Sequence, residues 1–443
     1  MNEKIGDNKL GAQPLYPISR FKPSAKPGPE VKTPQPTQDS LALTGTSLKQ
    51  PFPPKIPPVK TENSPNAQPV SKPWEMKEVD PLALTRVDEV RKDYGFTGKG
   101  ITVAVIDSGF NHPQTELAAW KDIAANAPQP IDEFGHGTHD AGAVNLVAPG
   151  AKIAAVKVGD SQGKAKDSDV IKGIQWAVEN RQKYNIKVLN ISLQLDHRPD
   201  LKKNPVDLAV EAAVKAGITV VAAAGNRGPN PETITVPGEN PQVITVGSLL
   251  DKNTISNFSS RGPAVTGFVP PDASNPYPRQ LVGKDPKPDV LAPGEYIASW
   301  MAPDSKMAQD AQDAEKIRAL NGKQLKEYFE KNPKKLSKYK VSKCILNFSD
   351  EKRENRVKSK LLRLFIPQEG WLATDGTSIS APLVAGIAAL LLEAKPNLSP
   401  EEIKELLIST AQDLTITNDI YAKGHGLVDA KAAVDKLLKK RRP

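Results

Sequence analysis

Ile101-Thr102-Val103-Ala104-Val105-Ile106, followed at once by Asp107-Ser108-Gly109, decides the fold. Six consecutive apolar or β-branched residues leave no polar face. Such a segment reads as a strand buried on both sides, as in a parallel sheet covered by helices. Working outward, Lys152 to Lys157, Val188-Leu189-Asn190-Ile191-Ser192, Ile218 to Ala223 and Val243-Ile244-Thr245-Val246-Gly247 repeat the texture. Between them lie helical patterns. Asp167 to Asn180 has Asp169 as its cap and Val170, Ile171, Ile174, Ala177 and Val178 as its stripe, and Asp207 to Ala216 is closed by Gly217. This alternation predicts an α/β fold, a parallel β-sheet flanked by helices on both faces in three layers. Ligands of such sheets sit beyond the carboxyl ends of the strands, where Asp107, Ser192 and Gly225-Asn226 all fall.

Four segments carry residues suited to chemistry. Asp107 ends an apolar strand, where a carboxyl is costly unless it is hydrogen-bonded or orients a partner; a turn-forming Asp before Gly is the plain alternative. Phe134-Gly135-His136-Gly137-Thr138-His139 sets glycines on both sides of His136, so neighbouring backbone can approach it closely. Two histidines three apart raise a metal site, but no Glu stands where the helical zinc pattern needs one. Ala222-Ala223-Ala224-Gly225-Asn226 ends a strand in an amide, either a turn or a donor to a developing oxyanion. Asp375-Gly376-Thr377-Ser378-Ile379-Ser380-Ala381-Pro382 sets Ser378 at the start of an apolar helix, with the proline in its first turn. A helix cap would explain that serine alone. Together, Asp107, His136, Ser378 and Asn226 are the equipment for acyl transfer: orienter, general base, nucleophile and oxyanion donor. Their Asp, His, Ser order differs from that of the α/β-hydrolases.

With these motifs the chain resembles the subtilisin-like serine proteases, the subtilase family, from about Leu82 to Ala432. Val105 to Gly109 matches the family's aspartate motif, Gly135 to His139 its histidine motif and Gly376 to Pro382 its serine motif. Phe258-Ser259-Ser260-Arg261-Gly262-Pro263 and Pro288 to Gly294 also resemble family segments. The resemblance implies a serine endopeptidase acting on polypeptides through a catalytic Asp107, His136 and Ser378. It also implies Asn226 in the oxyanion hole, and Ser192, Leu193, Gln194, Ala224 and Gly225 along the substrate. No cofactor is required for that chemistry. Relatives commonly carry a structural calcium, but no run here has the spacing of a calcium loop. Three residues depart from the family pattern: Asp140 where a small apolar residue is usual, Gln194 for glycine, and Leu383 for a second histidine. Asp140 and Gln194 are the best support for the alternative, a catalytically silent binding protein that keeps the fold.

The remaining chain is read from composition. Fifteen of the 41 prolines precede Trp74, and Pro51-Phe52-Pro53-Pro54 and Pro57-Pro58 favour polyproline II, so residues 1–74 are expected to form an extended arm. The peptidase domain then spans 75–438, interrupted by a charged insertion at about 301–369 that should emerge near the cleft rim, and 439–443 is a basic tail. Within the insertion Asp313 to Lys331 reads as a helix, with strands at Val341 to Phe348 and Lys360 to Phe365. Its 17 Lys and Arg against 10 Asp and Glu, with the four positive charges of the tail, more than account for the net charge of +9. No basic groove with interleaved aromatics accompanies that surplus, so no nucleic-acid partner is expected. Cys344 is the single cysteine, which excludes an internal disulfide. The apolar stretch Leu383 to Leu392 is too short for a bilayer span, so no membrane partner is expected. With no apolar run after Met1 the expected address is cytosolic, with leaderless export as the alternative. None of these motifs fixes an oligomeric state.

Overall fold

The structure, a computed structural model, describes residues 79–113, 115–195, 204–269, 279–282, 286–361, 363–366 and 369–439, with backbone only for 265–269 and 279–282. The proline-rich arm and the last four residues of the tail lie outside them. The strands are β1 (Thr102–Asp107), β2 (Ala119–Asp122), β3 (Lys152–Lys157), β4 (Ile186–Ile191), β5 (Thr219–Ala223), β6 (Ile244–Asp251), β7 (Thr254–Ile255), β8 (Val265–Val269), β9 (Arg279–Val282), β10 (Val290–Pro293), β11 (Ile297–Trp300), β12 (Leu364–Phe365) and β13 (Trp371–Thr374). The helices are α1 (Pro81–Leu84), α2 (Val87–Tyr94), α3 (His136–Val147), α4 (Asp167–Asn180), α5 (Pro205–Lys215), α6 (Lys306–Arg318), α7 (Gly322–Lys331), α8 (Pro333–Lys338), α9 (Asp350–Leu361), α10 (Thr377–Ala394), α11 (Pro400–Thr410), α12 (Ile420–Lys423) and α13 (Ala430–Lys439).

The main sheet runs β2-β3-β1-β4-β5-β6-β10, every neighbouring pair parallel, with β7 antiparallel on β6. All six residues of β1 are buried, because the sheet is covered twice. Alternation sorts its side chains. Val103 and Val105 join the core beneath α3 and α10, while Ala104 and Ile106 join the one beneath α4 and α5. Burying each Val or Ile contributes roughly 1.5–3 kcal/mol, and both faces profit. This is the three-layer α/β architecture expected. Asp169 lies inside the first turn of α4 rather than capping it; Lys166 precedes the helix without a side-chain bond.

α10 is the axle of the molecule. Every residue except Glu393 is buried, and the helix packs on α3 and on β4, β5 and β6. A Cβ on Gly386 would come within 2.6 Å of Val147 Cβ, so α3 and α10 meet this closely only over a glycine. With 18 residues of high hydropathy α10 is long and apolar enough to cross a bilayer, which corrects the shorter span read from the sequence. Here its apolar surface is spent on the protein core. Pro382 is also corrected: it stands at the sixth position of α10, beyond the first turn.

The segment 301–369, expected to be an insertion, differs most from its sequence reading. Among its described residues it is helical, α6 to α9, with one 3₁₀ turn at Lys343–Asn347 and only Leu364–Phe365 extended. Two helices replace the one read over 313–331, broken at Asn321, which caps α7 in a reciprocal capping box with Gln324. Val341 and Ile345, read as part of a strand, instead share a core with Ile317, Leu325, Phe329, Val357 and Leu361. Buried Arg353 holds the turn by donating to the Ile345, Gly322 and Leu346 carbonyls at 3.1, 2.8 and 3.1 Å.

Candidate active site

β1 ends at Asp107, and α3 begins at His136. What brings them together is a loop pinned by Asp132. Its carboxyl accepts from Ser108 Oγ, Gly135 N–H, Thr138 N–H and Thr138 Oγ1 at 2.7–2.9 Å. Gly137 then lies against the strand end; a Cβ there would stand 2.3 Å from the Gly109 carbonyl oxygen. His136 Nδ1 lies 2.9 Å from Asp107 Oδ1, and Nε2 lies 3.0 Å from Ser378 Oγ. Burial alone would lower the basicity of His136, but the charges of Asp107 and then Asp140, with the Asp107 hydrogen bond, raise its pKa to about 10.

Ser378 is the second residue of α10. Pro382, four residues on, has no N–H to give the Ser378 carbonyl. The Ser192 hydroxyl donates to that carbonyl instead, at 3.0 Å, and so ties the nucleophile's turn to the end of β4. Asn226 follows β5. Its Oδ1 accepts from Thr377 N–H (2.9 Å) and Thr377 Oγ1 (3.0 Å), while Gly225 N–H donates to Thr377 Oγ1 (3.1 Å). With its oxygen committed, Asn226 presents Nδ2, a pure donor, on the Ser378 side. The serine motif contains Thr377 without a sign of its role; only the folded contact reveals its clamp.

A cavity of about 330 Å³ opens on the triad and is lined also by Ser192, Leu193, Gln194 and Asn226. Gln194 is exposed there. Ala224 and Gly225 are buried and do not line it; they lead the chain to Asn226. Leu383 is buried in the core beside α3.

Asp140 stands on α3 one turn after His136, so both project to one side of the helix. It is fully buried. Its Oδ2 accepts from Asn190 Nδ2 at 3.2 Å, and its Oδ1 lies 3.8 Å from His136 Nδ1 with no hydrogen-bond partner among the described residues. Burial pushes the Asp140 carboxyl well above the ordinary carboxylate range, against the pull of His136. His139 turns elsewhere. Its Nε2 sits between the Ile297 and Leu372 carbonyls at 3.1 and 3.0 Å, and burial, then the charge of His136, push its pKa down to about 4. It braces β11 and β13 as a neutral ring, which answers the two-histidine metal reading.

Asp107, His136 and Asp140 form a set of potential metal donors within 4.8 Å of one another. Two ligands on a tetrahedral ion at about 2.0 Å would lie about 3.3 Å apart, whereas Nδ1 and Oδ1 are 2.9 Å apart, a hydrogen bond. The set is a carboxyl–imidazole pair with a second acid beside it. Nucleophile, base and orienter are all side chains of the chain, so the chemistry requires no cofactor.

The Subtilase family profile matches residues 98–426. The chain is 33% identical over 374 residues to "Serine protease AprX" of Bacillus subtilis (strain 168), covering 78% of this chain and 68% of that one. "Subtilisin E" of the same strain is 29% identical over 353 residues, 76% of this chain and 67% of its own. "Subtilisin-like serine protease Rho m 2.0101" of Rhodotorula mucilaginosa is 37% identical over 214 residues, 45% and 60% respectively. The cytosolic expectation drawn from the first residues is overturned by these matches to proteases of the subtilisin and AprX kind. A hydrogen-bonded Asp107–His136–Ser378 triad at the carboxyl edge of a doubly covered parallel sheet makes this a serine protease that hydrolyses peptide bonds, and the chain belongs to the subtilase family.

Proposed function

We propose that each site residue has a distinct part in cleaving an internal peptide bond. Ser378 Oγ attacks the carbonyl carbon while His136 Nε2 accepts its proton, and Asp107 holds the imidazole in the tautomer that leaves Nε2 free. The negative charge that develops on the carbonyl oxygen is met by Asn226 Nδ2 and the Ser378 backbone N–H. Protonated His136 then gives its proton to the leaving amine, and the acyl group stays on Ser378 as an ester. Water, deprotonated by His136, repeats the attack, releases the acid and restores the serine. The observation that carries this reading is Ser378 Oγ at 3.0 Å from Nε2 while Nδ1 is engaged by Asp107 at 2.9 Å.

Ser192, Leu193 and Gln194 are assigned to the substrate's backbone, which would lie along them as an added strand. Ala224 and Gly225 are assigned to the substrate side as well, acting through Asn226, which they position. Residues 75–438 are assigned to the peptidase, with about 301–369 as its insertion. The basic surplus is assigned to recognition of polypeptides; neither a nucleic acid nor a membrane is needed to account for it. A fluorophosphonate probe should label the wild-type protein at Ser378 and leave folded Ser378→Ala unlabelled. A wild type that stays unlabelled from neutral to alkaline pH sinks the assignment.

A further inference from the structure

A second cavity, of about 370 Å³, adjoins the first and shares Asn226, Thr374 and Asp375 with it. Its outer wall is the insertion, including Lys338, Lys340, Lys360, Arg363 and Asp310. The charges do not cancel. Lys338 is matched by Asp310 at 2.6 Å. Arg363 lies 3.6 Å from Asp375, a carboxyl that burial pushes up to about 7, so it is only partly ionised at neutral pH. Lys340 and Lys360 have no carboxylate partner among the described residues. Burial, then the positive charges of Arg363, Arg356 and Lys340, hold the Lys360 ammonium below its ordinary range. Lys340 also sits two residues after α8 at φ 51°, where glycine is favoured. Like charges gathered on a cavity wall repel one another unless an anion completes the site.

We propose that this cavity is a subsite for an acidic side chain of the polypeptide substrate, a carboxylate held by Lys340 and Lys360 next to the scissile bond. The inference rests on the peptidase reading above. The cavity reaches Asn226, whose amide faces the reacting carbonyl, so its occupant lies within a residue or two of the bond that breaks. An extended peptide advances about 3.3 Å per residue, and a glutamate is long enough to reach a wall set back from the backbone.

The test uses internally quenched peptides, matched except for Glu, Gln or Lys at each of the two positions on either side of the cleaved bond. Wild type should show at least a tenfold higher kcat/KM for Glu than for Gln at one of those positions, and discriminate against Lys there. Raising the salt from low to 0.5 M should shrink that ratio. In Lys340→Ser/Lys360→Gln the Glu/Gln ratio should fall at least fivefold. Peptides ending in a free carboxylate at the same subsite separate a chain terminus from a side chain. If only the terminus is favoured, the acidic-side-chain assignment is overturned. Equal cleavage of Glu and Gln peptides everywhere, or a ratio unchanged in the double variant, overturns it too. Fluorophosphonate labelling keeps the two failures apart. Protein that neither labels nor cuts any peptide defeats the peptidase reading, whereas labelled, active enzyme without the preference defeats only the subsite.

Discussion

Asp140→Asn should move the acid limb of the kcat/KM profile down by at least one pH unit, with a tenfold or greater gain in activity below the wild-type midpoint. His136 must be neutral to take the Ser378 proton, so activity rises with pH through its pKa. A carboxylate near Nδ1 favours the imidazolium and holds that pKa up. At 3.8 Å and an effective dielectric of about 20 the attraction is about 4 kcal/mol, or about three pH units. Only part of it should appear in the profile, because Asp140 itself takes up the proton over part of the range and the two titrate together. Other titratable groups around His136 are Asp107 on β1, Asp132 in the loop before α3 and the neutral His139 on α3; Lys157 on β3 is engaged by Glu133 and the Ser108 carbonyl. None of these is altered. Asn at 140 keeps the size of the side chain beside Asn190, and Asp140→Val serves as an apolar second variant. Profiles of kcat/KM from pH 5 to 11, run alongside the pH dependence of fluorophosphonate labelling, check the shift. Superimposable acid limbs would mean that Asp140 stays neutral throughout and does not govern the base.

Asn226→Ala should lower kcat by about 10²–10³-fold with little change in KM, the cost known for a subtilisin that loses one such donor. The effect falls on kcat because the carbonyl oxygen gains its charge, and moves toward Nδ2, only as Ser378 adds to it. Thr377 fixes Asn226 by its oxygen, so the amide needs no reorganisation when the charge appears. Steady-state kinetics on one good peptide decide it. A kcat within threefold of wild type would place the oxyanion elsewhere.

The central strands were legible because double burial forces continuous apolar runs, as in Thr102–Asp107. β2 was not, since Ala119-Trp120-Lys121-Asp122 is a four-residue edge strand with only its ends buried. In the segment expected to be an insertion, the β-branched and aromatic residues of Val341 to Phe348 imitate a strand by composition. What decides otherwise is Arg353, a polar residue whose buried guanidinium satisfies carbonyls far along the chain. The triad was legible because each member sits in its own short motif. Its supports were not. Asp132 was not singled out, and Asn190 was quoted only as part of a strand, because their partners are chosen in three dimensions. Asp140 stood out as a departure, but its place beside His136 follows only once α3 is known to start at His136.

The insertion leaves β11 after Trp300 and returns through β13, and these two strands pair antiparallel from Ile297 opposite Thr374 to Trp300 opposite Trp371. Met301 N–H still reaches the Gly370 carbonyl, at 2.9 Å. The helical module therefore hangs from a hairpin that is already closed at its neck, with α6 seated as well on the loop before His136 through Lys306 and Met307 N–H on the Glu133 and Phe134 carbonyls, and ring-closure entropy depends only weakly on what the neck carries. In engineering terms the neck is a socket. Foreign folded modules with neighbouring ends could be plugged between Met301 and Gly370, giving one hydrolytic machine a set of interchangeable recognition heads without redrawing the sheet that holds Ser378.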